Sequence, residues 1–188
     1  MKSSTTILIV DNNPHDLFFI EKVFREIDAN VSTHTVASGH EAIAYLLGLD
    51  KYSDRSRYAY PTLITTDLEM PGTDGFDVLK VLRHNPVLAF VPVVVLSSSR
   101  DAAHIRQAYR LGASSYQLKP GSIDGLRRQL KVLYDYWMTC EVPPRGGRRA
   151  PRGIGSVGLR PARRDQRAGA GPSALAPVCR MTGGPLRS

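Results

Sequence analysis

Short apolar runs alternate with stretches of three-to-four spacing along the first 140 residues. Thr6–Val10 (TILIV) is compact, apolar and rich in β-branched residues, the pattern of a buried strand. Val31–Val36, Thr62–Thr66, Val91–Leu96 and Ser114–Leu118 repeat that signal with varying strength. Between them lie amphipathic segments. Leu17, Ile20, Val23, Phe24 and Ile27 share one helical face after Asn13-Pro14, where a first-turn proline costs little. Ser38 with Glu41 has the capping-box spacing and opens a second helix carrying Ala42, Ile43, Leu46 and Leu47. Asp74 opens a third, with Phe76, Val78, Leu79 and Leu82. A fourth is predicted over Arg100–Leu111, closed by Gly112. Ser122–Met138 is the last, with Ile123, Leu126, Leu130, Leu133 and Trp137 on one side. Residues 48–60 are polar and tyrosine-bearing and read as a long loop.

Five strand–helix units in succession imply an α/β fold. The sheet is parallel and doubly wound, with helices on both faces and right-handed crossovers. Near-continuous apolar strands agree, because central parallel strands are buried on both sides. Ligands of such sheets sit beyond the carboxyl ends of the strands. The chemistry is therefore sought there.

Charge divides the chain. The 188 residues carry a net charge of +8, which at first suggests a partner rich in phosphate. Residues 1–143 hold 15 Lys and Arg against 16 Asp and Glu, a net of −1. The last 45 hold 10 Arg and one acid, a net of +9, so the whole excess lies there. That tail, 144–188, is rich in Arg, Gly, Pro and Ala, lacks Phe, Tyr and Trp, and is predicted to be disordered. An arm that binds nucleic acid is one reading of it, but such arms interleave aromatics and this one has none. The reading preferred is a GC-rich appendage without selected function. No apolar run approaches the roughly 20 residues of a membrane span. The N-terminus lacks a cleavage-site pattern, and Cys140 and Cys179 form no disulfide framework, which fits a reducing cytoplasm.

The strand ends carry a consistent set of groups. Asp11, Asn12 and Asn13 follow the first strand, Asp67, Leu68 and Glu69 the third, Ser97–Ser99 the fourth, and Lys119-Pro120 the fifth. Any one of these alone is better read as a helix cap or a loop. Together they place oxygen ligands, a hydroxyl and an ammonium on one rim. Oxygen donors suit a hard cation such as Mg²⁺, and the lysine and hydroxyl suit a phosphoryl group.

The runs ILIVDNNP (7–14), LITTDLEMPGTDGFDVLKVLR (63–83), VPVVVLSSS (91–99) and LGASSYQLKP (111–120) resemble the receiver domain of two-component response regulators. The resemblance covers residues 5–139. The 48–60 loop, the NP after the acids and the Tyr-Trp near the end look like the single-domain subfamily paired with phytochrome-type histidine kinases. It implies a flavodoxin-like (βα)5 sheet of strand order 2-1-3-4-5, in a receiver domain over 1–143 followed by the tail.

The resemblance also implies roles. Asp67 is the phosphoacceptor, taking a phosphoryl group from a sensor histidine kinase. Asp11, Asn12, Asp67 and the carbonyl of Glu69 hold Mg²⁺. Lys119 pairs with the phosphoryl oxygens, and Asp67 with Lys119 forms the catalytic pair. Ser97 and Tyr116 are the switch residues. Output would pass through the face made by the fourth helix, fifth strand and fifth helix, by contact with a partner or a second copy. There Val132, Leu133, Tyr136 and Trp137 are either contacts or simply core. No effector domain is expected to follow. The protein is then a phosphoacceptor, not a turnover enzyme. A degenerate receiver that only binds partners is the alternative within the family.

Two other classes share parts of the pattern. A flavin module needs Ser, Thr and Gly after the first strand, where this chain has acids and Pro14. A phosphatase of the haloacid dehalogenase type wants an aspartate two residues after its nucleophile, where this chain has Glu69.

Position 12 departs from the receiver pattern, which has a carboxylate there. Asn12 offers an amide oxygen and no charge, so Mg²⁺ binding is expected to be weaker than in an ordinary receiver. Asn12→Asp should therefore tighten Mg²⁺ binding in a titration followed by Trp137 fluorescence. Equal affinities would contradict the role given to position 12.

Overall fold

In the computed structural model, residues 5–141 are described; the predicted disordered tail at 144–188 lies outside the described residues. Five strands and five α-helices alternate: β1 (Thr6–Val10), α1 (Pro14–Ile27), β2 (Ser32–Val36), α2 (Gly39–Leu47), β3 (Leu63–Thr66), α3 (Gly75–His84), β4 (Val93–Ser97), α4 (Ala102–Arg110), β5 (Ser115–Leu118) and α5 (Ile123–Thr139). The sheet is parallel, in the order β2-β1-β3-β4-β5. The predicted order and class hold.

Side-chain alternation along β1 explains the two layers. Ile7 and Ile9 point into a cluster with Ile20, Val23 and Phe24 of α1 and Leu126, Leu130 and Leu133 of α5. Leu8 and Val10 point the other way, against Ala42 and Leu46 of α2, Val78 and Leu79 of α3 and Ala108 of α4. A strand's side chains alternate in this manner, so one five-residue run serves two cores. All five residues of β1, β3's four and β4's five are buried, while the edge strands β2 and β5 are only partly so.

Local chemistry sets the element ends. Asn13 caps α1 by accepting the His15 N–H at 3.0 Å. Asp74 and Asp77 form a reciprocal capping box on α3. Ser38 caps α2 through the Glu41 N–H, but the Glu41 carboxylate takes the Ala37 N–H rather than closing the predicted box. β4 begins at Val93, two residues later than predicted. Pro92 has no N–H to give, although its carbonyl still accepts from Ile64 at 2.9 Å. α4 begins after Asp101, whose side chain accepts the Ala103 N–H at 2.7 Å.

Residues 48–60 differ most from expectation. A single 3-10 turn, Asp50–Ser53, folds Tyr52 into the core at 5 % exposure. Its ring meets Tyr45 at 5.0 Å and Tyr58 at 4.9 Å. Arg55 lies 4.0 Å over the Tyr60 ring and donates to the carbonyls of Leu46 and Tyr58. The Tyr45 hydroxyl donates to the Ala59 carbonyl at 2.7 Å. Tyrosines read as polar in a sequence, yet each can bury its ring once the hydroxyl finds an acceptor.

The register aligns the carboxyl ends of the strands, and the ladder runs one residue beyond them. Asp11 N–H donates to the Val36 carbonyl (3.2 Å), Asp67 N–H to Val10 (2.9 Å) and Lys119 N–H to Ser97 (2.9 Å). Asp11, Asp67 and Lys119 are thus fixed by backbone rungs. After Asp67 the chain turns sharply, and Gly75 N–H donates to the Leu68 carbonyl at 3.1 Å. A Cβ at Gly75 would collide with the Asp67 carbonyl and stand 2.9 Å from the Leu68 Cα. Both obstacles are backbone, so relief requires moving the loop that aims Asp67. Gly75→Ala should therefore cost about 1–3 kcal/mol, the scale of overpacking. Gly121→Ala, where the added Cβ meets nothing within 4 Å, should be neutral. Matching melting temperatures for the two variants would refute the close-approach argument.

Candidate functional site

Lys119 is the centre of the rim. Its Nζ donates to Asp11 Oδ2 at 2.7 Å, Asp16 Oδ2 at 2.8 Å and Asp67 Oδ2 at 3.2 Å. An ammonium has three donors, and each goes to a different carboxylate. The side chains are enclosed: Asp11 is 2 % exposed, Lys119 and Asp67 are 12 %, and only Asp16 reaches 30 %. The other oxygens are also engaged. Asp11 Oδ1 accepts the Asn13 N–H at 2.8 Å, and Asp67 Oδ1 accepts the Leu68 N–H at 2.7 Å.

Three of the residues singled out in the sequence, Asp11, Asp67 and Lys119, are thus brought into one hydrogen-bonded group. Asp16 joins them, and the sequence reading had missed it. On α1 it looks like a first-turn acid favoured by the helix dipole, and only the fold shows its carboxylate turned to Lys119. Asn12 and Glu69 are exposed beside the group.

Burial pushes the Asp11 carboxyl above its ordinary value, and the hydrogen bonds from Lys119 and the Asn13 N–H only partly offset this. Burial alone would lower the Lys119 ammonium. Its hydrogen bonds to Asp11 and Asp16, with the charge of Asp67, outweigh that and hold it above the usual lysine value. Three carboxylates around one ammonium leave excess negative charge in an enclosed space.

Ser97 and Tyr116 are brought together through a residue that the sequence left as loop. Ser97 is fully buried, and its Oγ accepts the Ser99 N–H at 3.3 Å. Tyr116, half-buried against the α4-side core, donates its hydroxyl to the Ser99 carbonyl at 2.8 Å. Ser99 Oγ in turn lies 2.9 Å from His104 Nδ1 on α4. On α5, Leu133 is core and Trp137 packs against the same cluster, while Val132 and Tyr136 are 68 % and 60 % exposed. Trp137 stands on the last turn of α5, roughly 20 Å along the helix from the rim.

The donors fit a hard divalent cation. Two buried carboxylates stand at the rim, with the Asn12 amide and the Glu69 main chain beside them, and every side-chain donor is oxygen. Mg²⁺ is held in this way by one or two carboxylates with waters completing its octahedron. Among the described residues no three His, Cys, Asp or Glu form a ready-made metal cage. A cavity of about 340 Å³ lies at the opposite rim, lined by Leu82, Leu88, Val91 and Leu111 among others, and contains none of these groups.

The electrostatics make two opposed predictions for metal-free protein. A raised lysine pKa contributes stability that is complete below the unfolded value of about 10.4 and is lost as pH rises through the folded one. At pH 7 it is therefore fully present, and Lys119→Met should cost about 3–5 kcal/mol by leaving buried acids unpaired. A raised aspartate pKa has its stabilising effect only below the ordinary value of 3.8, and loses it as pH rises through the folded value. Asp11→Asn should therefore raise the melting temperature at pH 7, with the gain fading in acid below pH 3.8. Circular-dichroism melts in EDTA would check both; shifts of the same sign would contradict the charge distribution.

Comparison with known proteins agrees with this geometry. Residues 7–131 match the family described as the response regulator receiver domain. Among curated relatives, the two-component response regulator ARR7 of Arabidopsis thaliana is 35 % identical over 68 % of this chain, which spans 61 % of ARR7. Response regulator Rcp1 of Synechocystis is 27 % identical, covering 73 % of this chain and 92 % of Rcp1. Among solved structures, the phosphorylated cyanobacterial phytochrome response regulator RcpA superimposes with a TM-score of 0.71 at 29 % identity, over 76 % of this chain and all of RcpA. The Mn²⁺-bound form of Rcp1 gives 0.68 at 26 %, over 74 % and 99 %. With Asp11, Asp67 and Lys119 gathered at the carboxyl rim of a 2-1-3-4-5 sheet, the chain belongs to the response regulator receiver domain family of two-component systems.

Proposed function

We propose that the protein is a single-domain response regulator that accepts a phosphoryl group from a sensor histidine kinase on Asp67. The observation that carries this reading is the shared ammonium of Lys119, which joins Asp67 to Asp11 at the rim. Asp67 is held open for attack: its Oδ1 is fixed by the Leu68 N–H, and its Oδ2 has only the longest of the three lysine contacts.

In the reaction a carboxylate oxygen of Asp67 attacks the phosphorus of a phosphohistidine. The new O–P bond forms as the N–P bond breaks, and the electron pair returns to the imidazole. An acyl phosphate remains on Asp67. Asp11, Asn12, Asp67 and the Glu69 carbonyl would hold Mg²⁺, which when bound would supply neutralisation of the phosphoryl charge. Lys119 exchanges its carboxylate partners for phosphoryl oxygens, a charge-assisted contact of the strong kind. The Ser97 hydroxyl accepts from Ser99 and still has its own proton to donate. If that hydroxyl turns to the phosphoryl group, the Ser99 backbone is released on one side, and Tyr116, bonded to the same residue, can move.

Tyr116 stands on β5 between α4 and α5, so the output falls on the α4–β5–α5 face. Exposed Tyr109, Val132 and Tyr136 give that face apolar area for a partner or a second copy. The phytochrome named for several similar structures supports a phytochrome-type kinase as the donor. Residues 1–143 act as the receiver and 144–188 as an appendage. The described residues contain no helix long and apolar enough to cross a membrane. The role proposed is that of a cytoplasmic phosphoacceptor without turnover catalysis.

Incubation with acetyl phosphate and Mg²⁺, read on a phosphate-affinity gel, should shift the wild type, and Asp67→Ala should abolish the shift. Absence of a shift even with a cognate kinase would favour a receiver that binds partners without phosphorylation.

A further inference from the structure

We infer that Asp16 is a positioning residue of this site and supplies the negative charge that Asn12 lacks. The inference rests on the phosphoacceptor reading of the rim. Its own basis is geometric. Asp16 Oδ2 and Asp11 Oδ2 accept from the same ammonium at 2.8 and 2.7 Å, so the two carboxylates share one nitrogen. α1 carries Asp16 there because its first turn, capped by Asn13, starts directly from the end of β1. Asn12 is exposed and adds no charge.

The three carboxylates have different standing. Asp11 and Asp67 are buried, and each has one oxygen fixed by a backbone N–H. Asp16 is the most exposed, and Lys119 is the charged partner its carboxylate binds. When a cation engages Asp11 and Asp67, those acids must loosen their hold on Lys119. Asp16 remains to hold the ammonium beside Asp67, ready for the incoming phosphoryl oxygens. With all three acids and the lysine charged, the group carries a net −2. A receiver with a carboxylate at position 12 and no acid at position 16 carries the same. Asp16 thus restores the charge that a divalent cation needs, from the next element of the chain.

A purely structural role is the competing account: an acid in a first turn interacts favourably with the helix dipole. That role predicts a lower melting temperature for Asp16→Asn and no effect on cation binding. The two accounts separate with Mn²⁺ alone as the probe, by calorimetry or by the loss of its free-ion electron-spin signal. These methods do not depend on Trp137, which stands at the far end of α5. Asp16→Asn should weaken Mn²⁺ binding about tenfold, the loss of one nearby charge at a partly solvated site. Asn12→Asp should restore it in the Asp16→Asn background, with a larger gain there than in the wild type. Asp16→Glu should stay near wild type.

Mn²⁺ affinity unchanged in Asp16→Asn would overturn the inference, as would failure of Asn12→Asp to rescue. Faster labelling of Asp16→Asn by acetyl phosphate would also overturn it, because Asp16 would then be withholding Lys119 from the phosphoryl group. The phosphate-affinity gel on wild type and Asp67→Ala keeps the two claims apart. A wild type that labels on Asp67, with Asp16→Asn binding Mn²⁺ normally, removes Asp16 alone. A wild type that never labels, with Mn²⁺ binding lost in Asp16→Asn, removes the phosphoacceptor role and leaves the charge assignment.

Discussion

One ammonium holds three carboxylates in a space closed to most solvent, and the rim exists only because that arrangement can be folded. Like charges at such distances repel strongly when water is excluded. Lys119 offsets part of this; burial is the main reason the Asp11 carboxyl lies above its ordinary value, with the charge of Asp67 adding a smaller push. The lysine can do so because the backbone rung from its N–H to the Ser97 carbonyl fixes its base, while Asp11 and Asp67 are fixed by equivalent rungs on β2 and β1. The register of a parallel sheet, not any local motif, sets those distances. A one-residue slip of β5 would turn the lysine to the other face.

That dependence explains why both faces of the sheet are packed so fully. Central strands buried on both sides cannot shift register without exposing an apolar set to the wrong layer. Ile7, Ile9, Leu63 and Leu96 hold the α1–α5 layer, and Leu8, Val10, Ile64 and Val95 hold the other. The tight passage at Gly75 serves the same end, because the turn after Asp67 has no room for a side chain.

The fold was legible in the sequence because its signals are local. The β-branched runs, the caps Asn13, Ser38, Asp74 and Ser122, and the glycine after α4 each announce an element without help from distant residues. Asp11, Asp67 and Lys119 were legible because strand ends in such sheets are where chemistry collects. Asp16 and Ser99 were not. Asp16 has the spacing of an ordinary helix-terminal acid, and its partner is 103 residues away. Ser99 acts through its backbone as much as its hydroxyl, and main-chain groups leave no mark on composition. The packing of Tyr52 from the 48–60 loop against Tyr45 of α2 was hidden for a related reason. Tyr45 and Tyr52 bury their rings only because the Ala59 carbonyl and the Glu41 carboxylate arrive from elsewhere to take their hydroxyls.

The strain at the rim is also what makes it responsive. A site whose acids were fully paired would gain little from a cation. Here excess negative charge remains, so a divalent ion that binds the folded rim and not the unfolded chain stabilises the fold by mass action. A phosphoryl group accepted on Asp67 would add roughly two negative charges and three strong acceptors at the same place. Lys119 cannot satisfy these and all three carboxylates at once, so its donors must redistribute. The neighbouring hydroxyl of Ser97 is tied to Ser99, and Ser99 to Tyr116, which borders α4 and α5. A change of charge at Asp67 would therefore have a short covalent and hydrogen-bonded route to Tyr116 on β5, whose N–H donates to the hydroxyl of the exposed Tyr109 of α4. On the proposed reading, the excess charge at the carboxyl ends of the strands and the exposed Tyr109 beside the last strand act as two parts of one device.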